Sequence, residues 1–139
     1  MECERPKTGK KQVERVADLR VYQLAFKLQQ RIFEITKSFP REELYSLIDQ
    51  MRRSSRSVGS QICEGWKKRR YPASFIAKLT DSDGEQAETC HWLKTSAACG
   101  YITRRKRDEL IAEYKHVSGM LNKMMSNAES WCKHYRDGT

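Results

Sequence analysis

The stretch TRRKRDELIAEYKHVSGMLNKMMSNAESWCKHY, residues 103–135, carries the clearest periodicity in the chain. Leu110, Tyr114, Val117, Leu121, Met124, Ala128, Trp131 and Tyr135 follow one another in alternating steps of four and three. That spacing lays apolar side chains along one stripe of an α-helix, the seam of a left-handed bundle or coiled coil. Thr103 supplies an N-cap hydroxyl. The spacing therefore predicts one helix from Thr103 to Tyr135, about 48 Å long at 1.5 Å per residue. Such a rod buries its stripe only against other rods.

Three further helices are predicted upstream. The first, about Leu19 to Ser38 with Asp18 as N-cap, lines up Tyr22, Ala25, Phe26, Ile32, Phe33 and Phe39 and is closed by Pro40. The second, about Glu42 to Glu64, turns Leu44, Leu47, Ile48, Met51, Ser55, Val58 and Ile62 inward, and Gly65 ends it. Ser54, Ser55, Ser57, Gly59 and Ser60 at its centre are small enough for a neighbouring helix to come close. A Lys67–Arg70 loop then leads to Pro72, a residue suited to a first helical turn. The third helix, about Pro72 to Cys99, carries Phe75, Leu79, Ala87, Cys90, Leu93 and Ala97, with Gly100 just past its end. Thr80, Asp81, Ser82 and Asp83 interrupt its stripe; they read as a solvated face, or as a contact with the fourth helix's basic side or with a second copy. Short connections force antiparallel neighbours, so the expected fold is all-α, an antiparallel up-down-up-down four-helix bundle over residues 18–136. A basic flexible arm (1–17, with Arg5, Lys7, Lys10, Lys11 and Arg15) precedes it, and a tail (137–139) follows.

Composition removes several classes. The 139 residues fit one domain, and no apolar run approaches the roughly 18–20 residues of a membrane span. Three prolines and seven glycines are too few for the many turns of an all-β sandwich. The opening MECERPKTGKKQVERVADLR lacks the apolar core of a secretory signal, so a cytoplasmic location is expected. Cys3, Cys63, Cys90, Cys99 and Cys132 are odd in number and show no C-x-x-C pair, as expected for reduced thiols packed as small hydrophobes. Cys90 beside His91 points about 100° away from it on a helix, and no metal or cofactor is predicted.

The charge is informative. Twenty-seven Lys and Arg against 18 Asp and Glu give a formal +9. The bases cluster: Arg52, Arg53 and Arg56 on the second helix, Lys67, Lys68, Arg69 and Arg70 in one loop, and Arg104, Arg105, Lys106 and Arg107 in the last helix's first turn. Bases at a helix N-terminus oppose the macrodipole, so that last cluster needs a reason beyond helix stability. Each cluster taken alone is also compatible with a solvated face, and Arg52 and Arg53 with ion pairs to a neighbouring helix or subunit. Together they are expected to bind RNA or DNA, with Trp66 and Tyr71 beside the loop available for base stacking. In an up-down bundle the loop cluster lies at the end where the first helix starts, and Arg104–Arg107 lies at the other.

An enzyme is not expected. His91, His116 and His134 lack nucleophile neighbours, and there is no phosphate loop or H-E-x-x-H. Asp81, Asp83, Glu85 and Glu88 form the only acidic stretch that suggests a two-metal nuclease. The alternative from another class is a structural adaptor that docks a partner enzyme through the second and third helices. Membrane-surface binding lacks the bulky apolar face that it requires.

The segment from Asp18 to Ala25, with Phe39-Pro40, Glu43 to Leu47 and Gln50 to Ser54, resembles the bacterial proteins encoded in 23S rRNA intervening sequences. The resemblance continues through Val58, Ile62, Glu64-Gly65, Phe75, Leu79, Gly84, Glu88, Leu93 and Gly100-Tyr101-Ile102, covering about residues 18–125. Gly59 stands where the family usually has proline, and Thr80–Asp83 replaces more apolar positions. Related proteins include the accessory variability determinant of diversity-generating retroelements. The resemblance implies a barrel-shaped homopentamer with a basic surface, no catalytic activity and a nucleic-acid ligand. In the retroelement branch it implies a reverse transcriptase as partner.

Overall fold

The computed structural model describes residues 13–136; residues 1–12 of the expected arm and the tail 137–139 lie outside the described residues. The described residues form α-helices and short 3-10 turns, with no strand among them. The α-helices are α1 (Arg20–Thr36), α2 (Leu47–Lys67), α3 (Pro72–Ala98), α4 (Arg104–Ser126) and α5 (Ala128–Arg136). The long ones pack side by side: α1 on α2, α2 on α3, α3 on α4, and α4 back on α1. Their stripes meet in one core that includes Leu28, Ile32, Met51, Ile62, Phe75, Leu79, Leu93, Leu110, Tyr114 and Leu121. Burying each large apolar side chain contributes about 1.5–3 kcal/mol.

Several expected boundaries change. Asp18 does not cap α1; it closes the 3-10 turn Val16–Asp18 and pairs with Arg15 at 3.2 Å, leaving Leu19 at the cap position. Val13 and Val16 pack against the core, so the last residues of the expected arm belong to the fold. The inner face of α1 is Val21, Ala25, Leu28, Ile32 and Thr36. Tyr22, Phe26 and Phe33, expected on that face, form a second stripe beside it, with Phe26 48% exposed. Two overlapping helical periods run through this segment, and the aliphatic one wins the core.

The second helix starts later than expected. Pro40 opens the 3-10 turn Arg41–Glu43, and α2 begins at Leu47, which leaves Leu44 and Tyr45 exposed. Gly65 does not end α2. It lies buried inside the helix, where a Cβ would stand 3.1 Å from Lys78 Cβ, so its bare backbone sets the close approach of α3. In the polar interruption of α3, Thr80 and Asp81 are exposed as a solvated face would be, whereas Ser82 turns toward α2. Ser82 is buried and donates to the Val58 carbonyl at 2.8 Å; Thr89 shares a 2.8 Å hydrogen bond with Ser54. Ser96 donates to the Trp92 carbonyl at 2.8 Å. Small hydroxylated side chains let α2 and α3 pack closely while Ser54, Ser82, Thr89 and Ser96 each keep a partner. Ala87, expected on the α3 stripe, is exposed instead.

Pro72 occupies the first turn of α3 as expected, and Gly100, at φ 81°, takes the left-handed conformation past its end. The Thr103 hydroxyl accepts from the Lys106 amide at 3.0 Å and caps α4. The predicted fourth helix is two. The Asn127 amide bonds to the Lys123 and Met124 carbonyls (both 3.1 Å) and ends α4, and α5 turns so that Trp131 meets Trp66 edge-on at 5.8 Å. The apolar stripe survives the break because Met124 and Ala128 stay buried on either side of it. At the other end of the rods, the Phe39 and Tyr101 rings meet at 5.2 Å.

Candidate nucleic-acid interface

Lys67 ends α2, and the α2–α3 turn beyond it carries Lys68, Arg69, Arg70 and Tyr71, with Trp66 just before. Trp66 is only 4% exposed, so it does not offer its face to a base; it serves as a platform for protein groups. The Arg69 Nε donates to the Trp66 carbonyl at 2.7 Å, and its guanidinium lies 3.5 Å over the Trp66 ring and 4.8 Å from that of Tyr135. Burial pushes the Arg69 pKa down from its ordinary value. Arg70 lies 5.7 Å from the same Tyr135 ring. The α5 helix therefore holds two of the four cations by cation–π contacts. Lys67, Lys68, Arg70 and the 62%-exposed Tyr71 face outward.

The three arginines of α2 divide. Arg52 and Arg56 are one turn apart and share a face, whereas Arg53 lies about 100° round the helix. Arg53 points to α3, donating to Glu85 at 3.3 Å and making a short charge-assisted hydrogen bond to Glu88. That bond is the largest cause of the lowered Glu88 pKa; the Trp92 indole N–H, 3.0 Å away, assists, and burial opposes. Arg53 is thus a bridge between helices and leaves the candidate interface. The same pairing turns Glu85 and Glu88 of the acidic stretch toward an arginine. Among the described residues no group of three or more His, Cys, Asp or Glu is placed to hold a metal. Arg52 and Arg56 instead gather round the Phe33 ring, at 4.6 and 5.7 Å, with Lys37 at 4.7 Å.

At the start of α4, Arg107 pairs with Asp108 at 2.8 Å and Lys106 with Glu109 at 3.9 Å. Arg104 and Arg105 are exposed, with no salt bridge among the described residues. The antiparallel path leaves this cluster and the α2–α3 turn at opposite ends, about 30 Å apart along α2. The structure brings Arg52 and Arg56 together but does not merge the clusters into one patch.

Sequence reasoning missed Phe33, Lys37 and Tyr135 as organisers of cations. For Phe33 the available signal was the second helical stripe through Tyr22 and Phe26; for Tyr135 there was none, because its partners lie 65 and more residues away in the chain. Cys90 is half-buried at the α3–α4 side, and burial raises its thiol to about 11, so it stays protonated. No helix of the described residues is long and apolar enough to cross a membrane.

A small basic all-helical protein, with long helices packed side by side and cations displayed in separate patches, is the class these features define. The sequence model of the 23S rRNA-intervening sequence protein family matches residues 17–123, and the chain belongs to that family. Among solved structures, a protein of unknown function from the S23 ribosomal protein family of Bacteroides thetaiotaomicron VPI-5482 is similar, with a TM-score of 0.68 and 24% identity. The match covers 76% of this chain and 97% of that one, and at that identity the likeness is one of fold. No curated protein matches the chain.

Proposed function

We propose that the protein is a non-catalytic, oligomeric nucleic-acid-binding accessory protein with RNA as the favoured ligand. It would act in company with an rRNA intervening sequence or assist a reverse transcriptase. The observation that carries this reading is that, within the basic clusters, Arg56, Lys67, Lys68, Arg70, Arg104 and Arg105 are exposed and form no salt bridge among the described residues, in a chain of formal charge +9. Exposed cations that form no salt bridge among the described residues are available to phosphate, and counterion release would then drive binding. Family membership supports the oligomer: five copies at +9 each would carry +45, a ring that repels itself and attracts polyanions.

The test replaces Lys67, Lys68 and Arg70 together by Gln and measures RNA affinity, with Arg53→Gln as the internally paired control. The triple variant is expected to bind more weakly, with a salt slope flatter by about 0.7–0.9 for each lost phosphate contact. Equal effects of the two variants would contradict the assignment. Light scattering should give a mass about five times the 16.3 kDa chain; a monomer would remove the barrel.

A further inference from the structure

We infer that the outer seam between α1 and α2 is a path for single-stranded nucleic acid, its rings taking bases and its cations taking phosphates. The inference rests on the nucleic-acid reading above and narrows it to the unpaired form.

The seam is built from the half-exposed stripe of α1 and the facing stripe of α2. Tyr22 and Phe26 stack with ring centroids 6.2 Å apart and planes at 30°. Phe26 keeps nearly half its surface in water. Toward the C-terminal end of α1 the Phe33 ring collects Arg52, Arg56 and Lys37. The Arg52 Nε is anchored on the Thr36 hydroxyl at 2.9 Å, which fixes its guanidinium against the ring. Lys37 pairs with Glu34 at 3.3 Å, while Arg52 and Arg56 form no salt bridge among the described residues, so the three cations outnumber the one paired carboxylate.

Gly59 faces this seam. Tyr22 Cε1 lies 3.6 Å from where a Cβ would stand, so the missing side chain lets Tyr22 lie against α2. Arg56 and Lys67 share a helical face eleven residues apart, about 16 Å. A strand of a few nucleotides would therefore connect the Phe33 cluster, the Tyr22–Phe26 pair and the α2–α3 turn with Tyr71.

The aromatic rings decide between forms of ligand. A duplex keeps its base faces stacked inside and would use only the cations, leaving Tyr22 and Phe26 idle. A single strand presents free base faces to aromatic side chains and its phosphates to the flanking charges. Arg52, held on a ring, has lost freedom before the ligand arrives, which lowers the ordering cost of binding.

The experiment is fluorescence anisotropy on the intact protein, using an unstructured mixed-sequence RNA and a blunt RNA duplex of equal length. Phe26→Ala is expected to weaken the single strand about five-fold or more and to leave the duplex unchanged, whereas Phe33→Leu, which also frees Arg52, Arg56 and Lys37 from their ring, should weaken the single strand by as much or more. Arg56→Gln should flatten the single-strand salt slope by about 0.7. Circular dichroism confirms that each variant keeps its helices. If the intact protein binds RNA while Phe26→Ala and Phe33→Leu change nothing, the seam is not the path, although the nucleic-acid reading stands. If neither RNA binds the intact protein, that reading itself fails. If the two variants alter the mass in light scattering but not RNA affinity, the seam is a contact between copies and the inference is overturned.

Discussion

Arg53 and Arg56 stand three residues apart on α2 and have opposite roles, because a helix turns them to different neighbours. Arg53 meets Glu85 and Glu88 across the α2–α3 interface, 32 and 35 residues further along the chain. Arg56 meets the Phe33 ring and no carboxylate among the described residues. The sequence displays both cations and hides this distinction, since only the tertiary fold brings the acids to one of them. The pairing has a consequence for acid stability. Glu88 is held below the ordinary carboxylate range, chiefly by its hydrogen bond from Arg53. Such a group contributes stability above its unfolded pKa and loses it as pH falls through the lower native value. Arg53→Gln should therefore reduce stability at neutral pH and flatten its decline below about pH 5, read from urea midpoints over a pH series. Identical acid limbs in both proteins would show that the pair contributes nothing.

At the level of the helix, caps and punctuation were legible in the sequence: Pro72 opens α3, Thr103 caps α4 and Gly100 follows α3. The rest was not, for physical reasons that differ by element. In α1 two stripes compete, and composition does not say which one the bundle buries. Between α4 and α5 the apolar period continues through Asn127, so periodicity reports the shared stripe and misses the break between the two helices. In α3 half of the buried positions, Ser82, Thr89 and Ser96, are hydroxyls, which a search for apolar side chains passes over. Close approach of α2 and α3 makes two glycines behave differently. At Gly65 an added Cβ meets Lys78 Cβ at 3.1 Å, an atom fixed to the α3 backbone, so Gly65→Ala should cost about 1–3 kcal/mol. At Gly59 the nearest atom is 3.6 Å away, an ordinary contact, and Gly59→Ala should gain up to about 1 kcal/mol from helix propensity. Denaturant midpoints of the two variants check the contrast; shifts of the same sign would contradict this packing.

Over the whole molecule, short turns send alternate rods in opposite directions and so distribute cations to both ends. The bundle and the existence of basic clusters followed from the sequence, through the 3–4 periodicity and the runs at 67–70 and 104–107. The internal bookkeeping of charge did not: Arg53 is spent on α3, Trp66 is sealed under Arg69 and Trp131, and α5 holds Arg69 and Arg70 through Tyr135. What remains outward in the clusters is a set of cations that form no salt bridge among the described residues, and their use is the central claim. The most direct measurement is the RNA association constant of the intact protein over a series of salt concentrations. The predicted result is a linear fall of its logarithm against the logarithm of salt, steeper than about −2, as three or more phosphate contacts require. A slope near zero, or no binding at low salt, would contradict it.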